Sequence, residues 1–384
     1  MRRDILLKHY LKHKYFLRFK DRGSLERWQE WRVLRHMGWL KRHSPYYARA
    51  FARLELTNWR QLTMMDKRSM MEHFDDINTL GLSKEHAFDL ALADEQSRDF
   101  IAEYQGVSIG MSSGTSGNRG LFLVSPKEQA AWAGVILAKM LPDTLLRPQR
   151  IALFLRANNK LYSSVTSRHI RFQFFDLFQP LETHLQVLDS YQPTILIGPP
   201  SVLSLLASWQ GRKLAIAPRR IIAGAEVLED SDRASIEAAF AQRPHEVYQA
   251  TEGFLAATCS HGSLHFNEDI VHIEKHYIDD GKTRFMPIVT DFNRYSQAIV
   301  RYRLNDIILE NPEACPCGSV MTRIAKIEGR SDDIFYLDRR DSKGRRRVFA
   351  DYLRRAMFKV SRLEHYRVVQ ESPQDIRIHC EPRT

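Results

Sequence analysis

The chain has 384 residues, 43% hydrophobic and 10% aromatic, enough to bury a sizeable core in one large domain, alone or with a small partner. That composition excludes a disordered chain and a peptide-sized binder. Its 57 Lys and Arg against 46 Asp and Glu give a formal charge of +11, which suits anionic small molecules or polyanions, yet no nucleic-acid module or aromatic platform accompanies the bases, so nucleic acid is not the expected partner.

In chain order, "MRRDILLKHYLKHKYFLRF" carries charges among its apolar positions, unlike a signal-peptide core. Its spacing fits a helix packed on the body, with a peripheral membrane contact as the alternative. No charge-free run is long enough for a transmembrane segment, which makes a cytoplasmic location the expectation. "SLERWQEWRVLRHM" predicts a helix capped by Ser24, and "SKEHAFDLALADEQSRDFIAEY" a second long helix, with turns and short helices in "HSPYYARAF" and "LTNWRQLT".

From residue 107 the pattern changes. "VSIGMS", "RIALFLR", "TILIGP", "RRIIAGAE" and "HEVYQAT" are short apolar stretches separated by helical segments such as "PSVLSLLASW" and "SDRASIEAAFAQ". This predicts an α/β fold, a mixed or parallel sheet covered by helices, with functional loops at strand ends. "LHFNEDIVHIEKHYID", "TRFMPIVTDFN" and "QAIVRYRLNDIILE" are strand-rich. "IEGRSDDIFYL" and the polar "DRRDSKGRRR" mark a boundary, giving a large domain over 1–330 and a small α/β lid over 331–384 whose pattern is strand, turn, helix "VFADYLRRAM" and strands "HYRVVQ" and "DIRIHC".

Four short motifs carry chemistry. In "SSGTSGNRG", residues 112–120, Gly114, Gly117 and Gly120 allow close backbone approach, Ser113, Thr115 and Ser116 offer hydroxyls, and Arg119 adds charge for a phosphate. The same composition also serves an ordinary turn, and it matches neither the P-loop nor the dinucleotide fingerprint. In "YQATEG", Glu252 is a candidate magnesium ligand, with Tyr248 and Gln249 walling a nucleotide. "RYRLND" offers Asp306 to two ribose hydroxyls, and "EGRSDD" couples Arg330 with Asp332 at the boundary.

In this order and at these separations the four motifs resemble the phosphate loop, aromatic-Thr-Glu motif, ribose-binding Asp and hinge of adenylate-forming (AMP-binding) enzymes. "HSPYYARAF", "LIGPPSVLSLLA", "IIAGAEVL", "LHFNED" and "CPCG" make the chain most similar to the phenylacetate-CoA ligase and coenzyme F390 synthetase branch, over about residues 40–360. The resemblance implies a large N-terminal domain of helix-flanked sheets and a shortened C-terminal α/β domain. It implies that Ser113, Thr115, Ser116 and Gly117, in one loop with Ser112 and Gly114, cradle β- and γ-phosphates. Gly224, Ala225 and Glu226 would lie by the adenine, Thr251 at the α-phosphate, Glu252 on Mg²⁺, Asp306 on ribose, Arg330 on the nucleotide and Asp332 at the hinge.

The implied reaction is ATP-dependent activation of a carboxylic acid as an acyl-adenylate with loss of pyrophosphate. Transfer to a thiol follows, of CoA or of a carrier protein's phosphopantetheine. The alternatives are transfer to an amine or hydroxyl, and a non-catalytic nucleotide-binding scaffold. Two departures stand out: "GNRG" is one position short, with Arg119 as its only base, and no Lys follows Lys359.

Cys315 and Cys317 of "CPCG", with Cys259 and His265 of "CSHGSLH" and His261 as the competing imidazole, make a candidate structural Zn²⁺ set. So few Cys, grouped in this way, argue against a disulfide scaffold and for a reducing compartment. "RANNKLYSSVTSRHIRFQFFDLF" spans the region where the resemblance puts the acyl pocket. Its Tyr162, His169, Phe172, Phe174 and Phe175 favour an aromatic acid, with Arg156 or His169 facing a carboxylate or ring hydroxyl, or else they form ordinary core.

Overall fold

The computed structural model describes residues 2–97, 99, 101–112, 119–156, 162, 164–339, 344–348, 353, 357 and 363–382. The chain divides into two compact units, Met1–Glu274, Ile288–Arg303 and Asn311–Arg323 in the first and Lys275–Pro287, Leu304–Glu310 and Ile324–Thr384 in the second.

The first unit opens with α1 (Arg3–Leu11), one π-helical turn (Lys12–Phe16) and α2 (Arg22–His43). Asp21, not Ser24, caps α2. Its carboxylate accepts the Ser24 N–H at 2.7 Å, and the Asp21 N–H donates to the Ser24 hydroxyl at 3.2 Å, so Ser24 is the third helical residue of a capping box. Then come α3 (Pro45–Ala50), α4 (Lys67–Glu72), α5 (Phe74–Ile77) and α6 (Lys84–Ser97), followed by β1 (Glu103–Tyr104). Of the long helix expected through residue 104, the described helix runs to Ser97, and the Asp94 carboxylate accepts the N–H groups of Ile101 at 2.5 Å and Ala102 at 3.0 Å.

β2 (Val107–Met111) and β3 (Leu121–Val124) form an antiparallel hairpin, and α7 (Pro126–Met140) follows behind a Ser125–Glu128 capping box. The sheet core is β4 (Gln149–Leu155), β5 (Ile170–Asp176), β6 (Ile195–Gly198), β7 (Arg220–Ala223) and β8 (His245–Ala250), all parallel in the order β5-β4-β6-β7-β8. Its connections include α8 (Leu185–Tyr191), α9 (Pro200–Trp209) and α10 (Asp230–Phe240), and β9 (Gly253–Thr258) and β10 (Leu264–Phe266) extend it antiparallel.

Alternation along the strands builds a core on each face. Ile151, Ile195 and Ile222 pack with α1 and α7, while Ala152, Leu196 and Ile221 pack with α8, α9 and α10. Gly134 permits the first of these layers: a Cβ there would stand 2.4 Å from the Leu6 carbonyl oxygen, so α7 accepts α1 only with glycine at the contact.

β11 (His272–Tyr277), β12 (Arg284–Asp291), β13 (Ile299–Arg303), β14 (Asp306–Asn311) and β15 (Arg323–Arg330) fulfil the strand-rich expectation. In the first unit Val289 of β12 pairs antiparallel with Tyr302 of β13; in the second, Arg284 pairs with Leu309. The second unit also contains the hairpins β16 (Phe335–Asp338) with β17 (Arg345–Val348) and β18 (Leu363–Gln370) with β19 (Ile376–Pro382). Of the segment "VFADYLRRAM" expected as a helix, Val348 ends β17, and most of the rest, with Lys359, lies outside the described residues.

Candidate active site and metal centre

Ser113, Gly114, Thr115, Ser116 and Gly117 lie outside the described residues, but the neck of their loop is defined. Ser112 N–H donates to the Gly120 carbonyl at 2.8 Å, and Gly120 N–H donates to the Ser112 hydroxyl at 2.8 Å, closing the hairpin at that point. Arg119 is exposed and forms a two-pronged ion pair with Glu95 of α6, one prong at 3.0 Å; that hydrogen bond raises the guanidinium pKa. Lys67, the first residue of α4, stands over the same neck: a Cβ on Gly120 would be 3.1 Å from Lys67 Cε and 3.6 Å from Ser112 Oγ. The sequence signals where α4 begins, through the Asp66–Ser69 capping box, but no local signal shows that α4 reaches Gly120.

Thr251 and Glu252 form the turn between β8 and β9, both half-buried, and the Thr251 hydroxyl donates to Glu252 Oε2 at 2.8 Å. The Tyr302 hydroxyl donates to the same carboxylate. Burial first, then the charges of Glu252 and Asp66, push the phenol pKa far up, so it stays a proton donor.

Behind the turn, Arg294 Nη1 donates to the Thr251 carbonyl and Nη2 to the Leu123 carbonyl, each at 3.1 Å. One buried guanidinium thus joins the Thr-Glu turn to the strand that leaves the loop neck. Gln297 completes the seam, accepting from Leu123 N–H at 2.9 Å and donating to the Leu121 carbonyl at 3.1 Å, while Glu128 accepts the N–H groups of Tyr295 and Ser296. Asp291 lies buried in this clasp; burial pushes its carboxyl up to about 6, against the pull of Arg294 and the Asn293 N–H. Neither Arg294 nor Tyr302 was singled out by sequence reasoning, and the residues around Arg294 carry no recognisable motif.

At the end of β7, Gly224 N–H donates to the Gly198 carbonyl at 3.1 Å, Ala225 adopts a left-handed φ of 68°, and Glu226 Oε2 accepts the Ser201 N–H at 3.2 Å in the first turn of α9. Tyr248 lies opposite Ala256 in β8, and Gln249 accepts the Trp132 indole N–H at 3.0 Å. Tyr162 meets Trp132 edge-on at 6.0 Å. The aromatic stripe of β5 is divided by strand alternation. Phe175 is 2% exposed and stacks on Phe154 in one core, and Phe172 packs against the opposite core. In the second unit, Asp306 and Arg330 pair at 3.7 Å, and Asn305 Nδ2 donates to Asp332 Oδ2 at 2.7 Å.

Cys259, His265, Cys315 and Cys317 converge in the first unit with all ligand atoms within 4.8 Å of one another; His261 is not in the group. Cys259 Sγ is 3.8 Å from Cys315 Sγ, and Cys317 Sγ is 3.6 Å from His265 Nε2. A tetrahedral ion with Zn–S of about 2.3 Å and Zn–N of about 2.0 Å separates its ligands by about 3.8 Å between sulfurs and about 3.5 Å between sulfur and nitrogen. The spacing therefore fits a metal, and it is far beyond the about 2.05 Å of a disulfide. His265 Nδ1 lies 3.1 Å from the Met321 carbonyl, which requires the proton on Nδ1 and leaves the Nε2 lone pair facing Cys317. Although burial opposes it, hydrogen bonds from Ser263, the Cys317 backbone and His265 bring the Cys315 thiol down to about 6.

No family model and no curated protein matches the chain. Among solved structures, it is similar to 2-hydroxyisobutyryl-CoA ligase in the postadenylation state with R3-HIB-AMP: TM-score 0.71, 16% identity, 97% of this chain and 80% of that one. The same ligase with 2-HIB-AMP and CoA, in the thioesterification state, gives 0.62 at 18% identity over 98% and 82%. An ATP-bound RpMatB-BxBclM chimera gives 0.52 at 15% identity, over 72% of this chain and 58% of that one. The fold is that of an adenylate-forming ligase.

On this ligase fold, the first unit joins the loop neck, Lys67, the Thr251–Glu252 turn and the Arg294 clasp through consecutive hydrogen bonds and packing contacts. The expectation of helix-flanked sheets agrees with it.

Proposed function

We propose that the chain activates a carboxylic acid with ATP, forming an acyl-adenylate, and then transfers the acyl group to a thiol. The observation that carries this reading is the Arg294 guanidinium, which ties the exit of the Ser112–Gly120 loop to the Thr251–Glu252 turn. The hydroxyls and glycines that the sequence holds between Ser112 and Gly120, together with the Glu252 carboxylate, are the chemistry that suits a polyphosphate and its Mg²⁺. In this role Glu252, oriented by Thr251 and Tyr302, holds Mg²⁺, which when bound neutralises charge on the phosphate oxygens. We assign the loop's cation to Lys67, whose Cε packs at the neck, while Arg119 is held in an exposed ion pair with Glu95.

In the first half-reaction a carboxylate oxygen of the acid attacks the α-phosphorus. The new P–O bond forms as the bond to the β-phosphate oxygen breaks, and pyrophosphate leaves. Positioning and charge stabilisation are the main demands on the protein. In the second, a thiol sulfur attacks the acyl carbon, the thiol proton passes to solvent, and AMP leaves with the carbon–oxygen electron pair.

The thiol assignment, with CoA or a carrier phosphopantetheine as acceptor, is supported by the fold shared with a ligase crystallised with an acyl-AMP and CoA. An aromatic acid is supported by the branch resemblance and by Trp132, which bonds to Gln249 and meets Tyr162 edge-on. Zn²⁺ in the Cys259, His265, Cys315, Cys317 set has a structural role, because four protein donors fill a tetrahedron and leave no position for water. The test is to incubate the protein with ATP, Mg²⁺ and a panel of aryl and aliphatic acids, adding CoA, a phosphopantetheinylated carrier or an amine. Thioester formed from an aryl acid supports the reading; amide formed without thioester overturns the acceptor assignment.

A further inference from the structure

The net positive charge of the chain is concentrated in its first segment, over α1, the π-helical turn and α2. Residues 1–43 hold 13 Lys and Arg against four Asp and Glu, so nine of the eleven excess charges fall in the first 43 of 384 residues. Helix α1 and its π-helical turn are fixed to the body by one face. Leu6 and Tyr10 enter the core, His13 Nδ1 lies 2.7 Å from Asp269, and Lys139 Nζ holds the other oxygen of Asp269 at 3.0 Å.

The outward side, which also exposes Asp4 and Lys8, carries uncovered apolar side chains. Leu7 is 48% exposed, Leu11 38%, Tyr15 50% and Phe16 75%. Leu7, Leu11 and Tyr15 recur every four residues, the spacing of one helical ridge, and Arg3, Lys8, Arg18 and Lys20 are exposed around them. A single exposed apolar side chain needs no explanation, but four within ten residues, set among bases, form a surface with a preference.

We infer that this ridge docks the protein peripherally on an anionic lipid bilayer. The apolar and aromatic tips sit at the headgroup boundary, and the flanking Lys and Arg lie against lipid phosphates. A bilayer offers both features the ridge presents, a negative plane and an apolar layer a few ångströms beneath it; a nucleic acid or an acidic folded protein offers the first without a penetrable second. No helix among the described residues is long and apolar enough to cross a membrane, so the contact is a surface one. Because the buried face of α1 is already occupied, docking requires no refolding of the helix.

The experiment is sedimentation of the full-length protein with vesicles of phosphatidylcholine alone or mixed with phosphatidylglycerol, at low and high salt. The inference predicts binding at least about tenfold stronger to the anionic vesicles and weakened by salt. The Leu11→Gln, Phe16→Ser double variant, altered at exposed positions, should lose most of that binding with an unchanged circular dichroism spectrum. Absence of binding, equal binding to both vesicle types, or undiminished binding by the double variant overturns the inference. So does a dimer in light scattering that the double variant dissociates, which would assign the ridge to a second copy of the chain.

Discussion

Replacing Cys315 with Ala removes one corner of the proposed zinc tetrahedron, and the structure sets the size of the effect. The Cys259–Cys315 contact spans 56 residues. Cross-linking a loop of that length restricts the unfolded chain by about 4 kcal/mol on the loop-entropy relation used for disulfides. Unfolding entropy near 2.1 cal/mol/K per residue over this chain makes that worth a fall in Tm of about 5 °C. The variant and the wild type, purified without added metal, would be compared by thermal unfolding and by elemental analysis. About one zinc per wild-type chain, a marked loss of zinc in the variant and a fall of about that size are expected. Wild-type protein that is folded, metal-free and as stable as the variant would refute the reasoning.

Other consequences separate the site residues. Lys67→Ala should reduce kcat/KM for ATP roughly 100-fold, the size of one lost transition-state donor, whereas Arg119→Ala, which breaks only an exposed ion pair, should change it by no more than about threefold; steady-state kinetics decide. Arg294→Met leaves the Thr251 and Leu123 carbonyls without their donor and buried Asp291 without its cation, so urea denaturation should show a loss of about 3 kcal/mol or more. Burial holds His36 down to about 3 and His9, His245 and His272 to about 4 in the folded protein, against 6.5 unfolded. Their stabilising contribution is complete above pH 6.5 and is lost as pH falls towards 4. Asp291, raised to about 6, opposes this by favouring the fold as it protonates, but it is one group against four. Thermal scans should therefore show Tm falling across that window; a constant or rising Tm would contradict the assignment.

What the sequence disclosed, and what it did not, follows from the range of each interaction. The Thr251–Glu252 hydrogen bond joins adjacent residues, and the strands and helices around it are written in local periodicity. Arg294 reaches Leu123 across 171 positions, and Lys67 meets Gly120 only because α4 folds against the β2–β3 hairpin, so neither could be read from a local pattern. Arg119 was read by its charge alone, and its partner Glu95 lies on another element. The Cys and His set was legible as chemistry, since soft donors are rare; only the fold chose His265 over His261. Strand alternation divides the aromatic stripe, and Phe172 and Phe175 fall in two cores, as the ordinary-core alternative expects.

The central claim is acid activation at the Thr251–Glu252 turn. Its most direct measurement is acid-dependent exchange of labelled pyrophosphate into ATP, run with Mg²⁺ on the wild type and on Glu252→Gln. Exchange supported by at least one acid, and reduced roughly 100-fold or more in a variant that unfolds at the same temperature, is the predicted result. No exchange with any acid while ATP still binds, or exchange undiminished in Glu252→Gln, would contradict it.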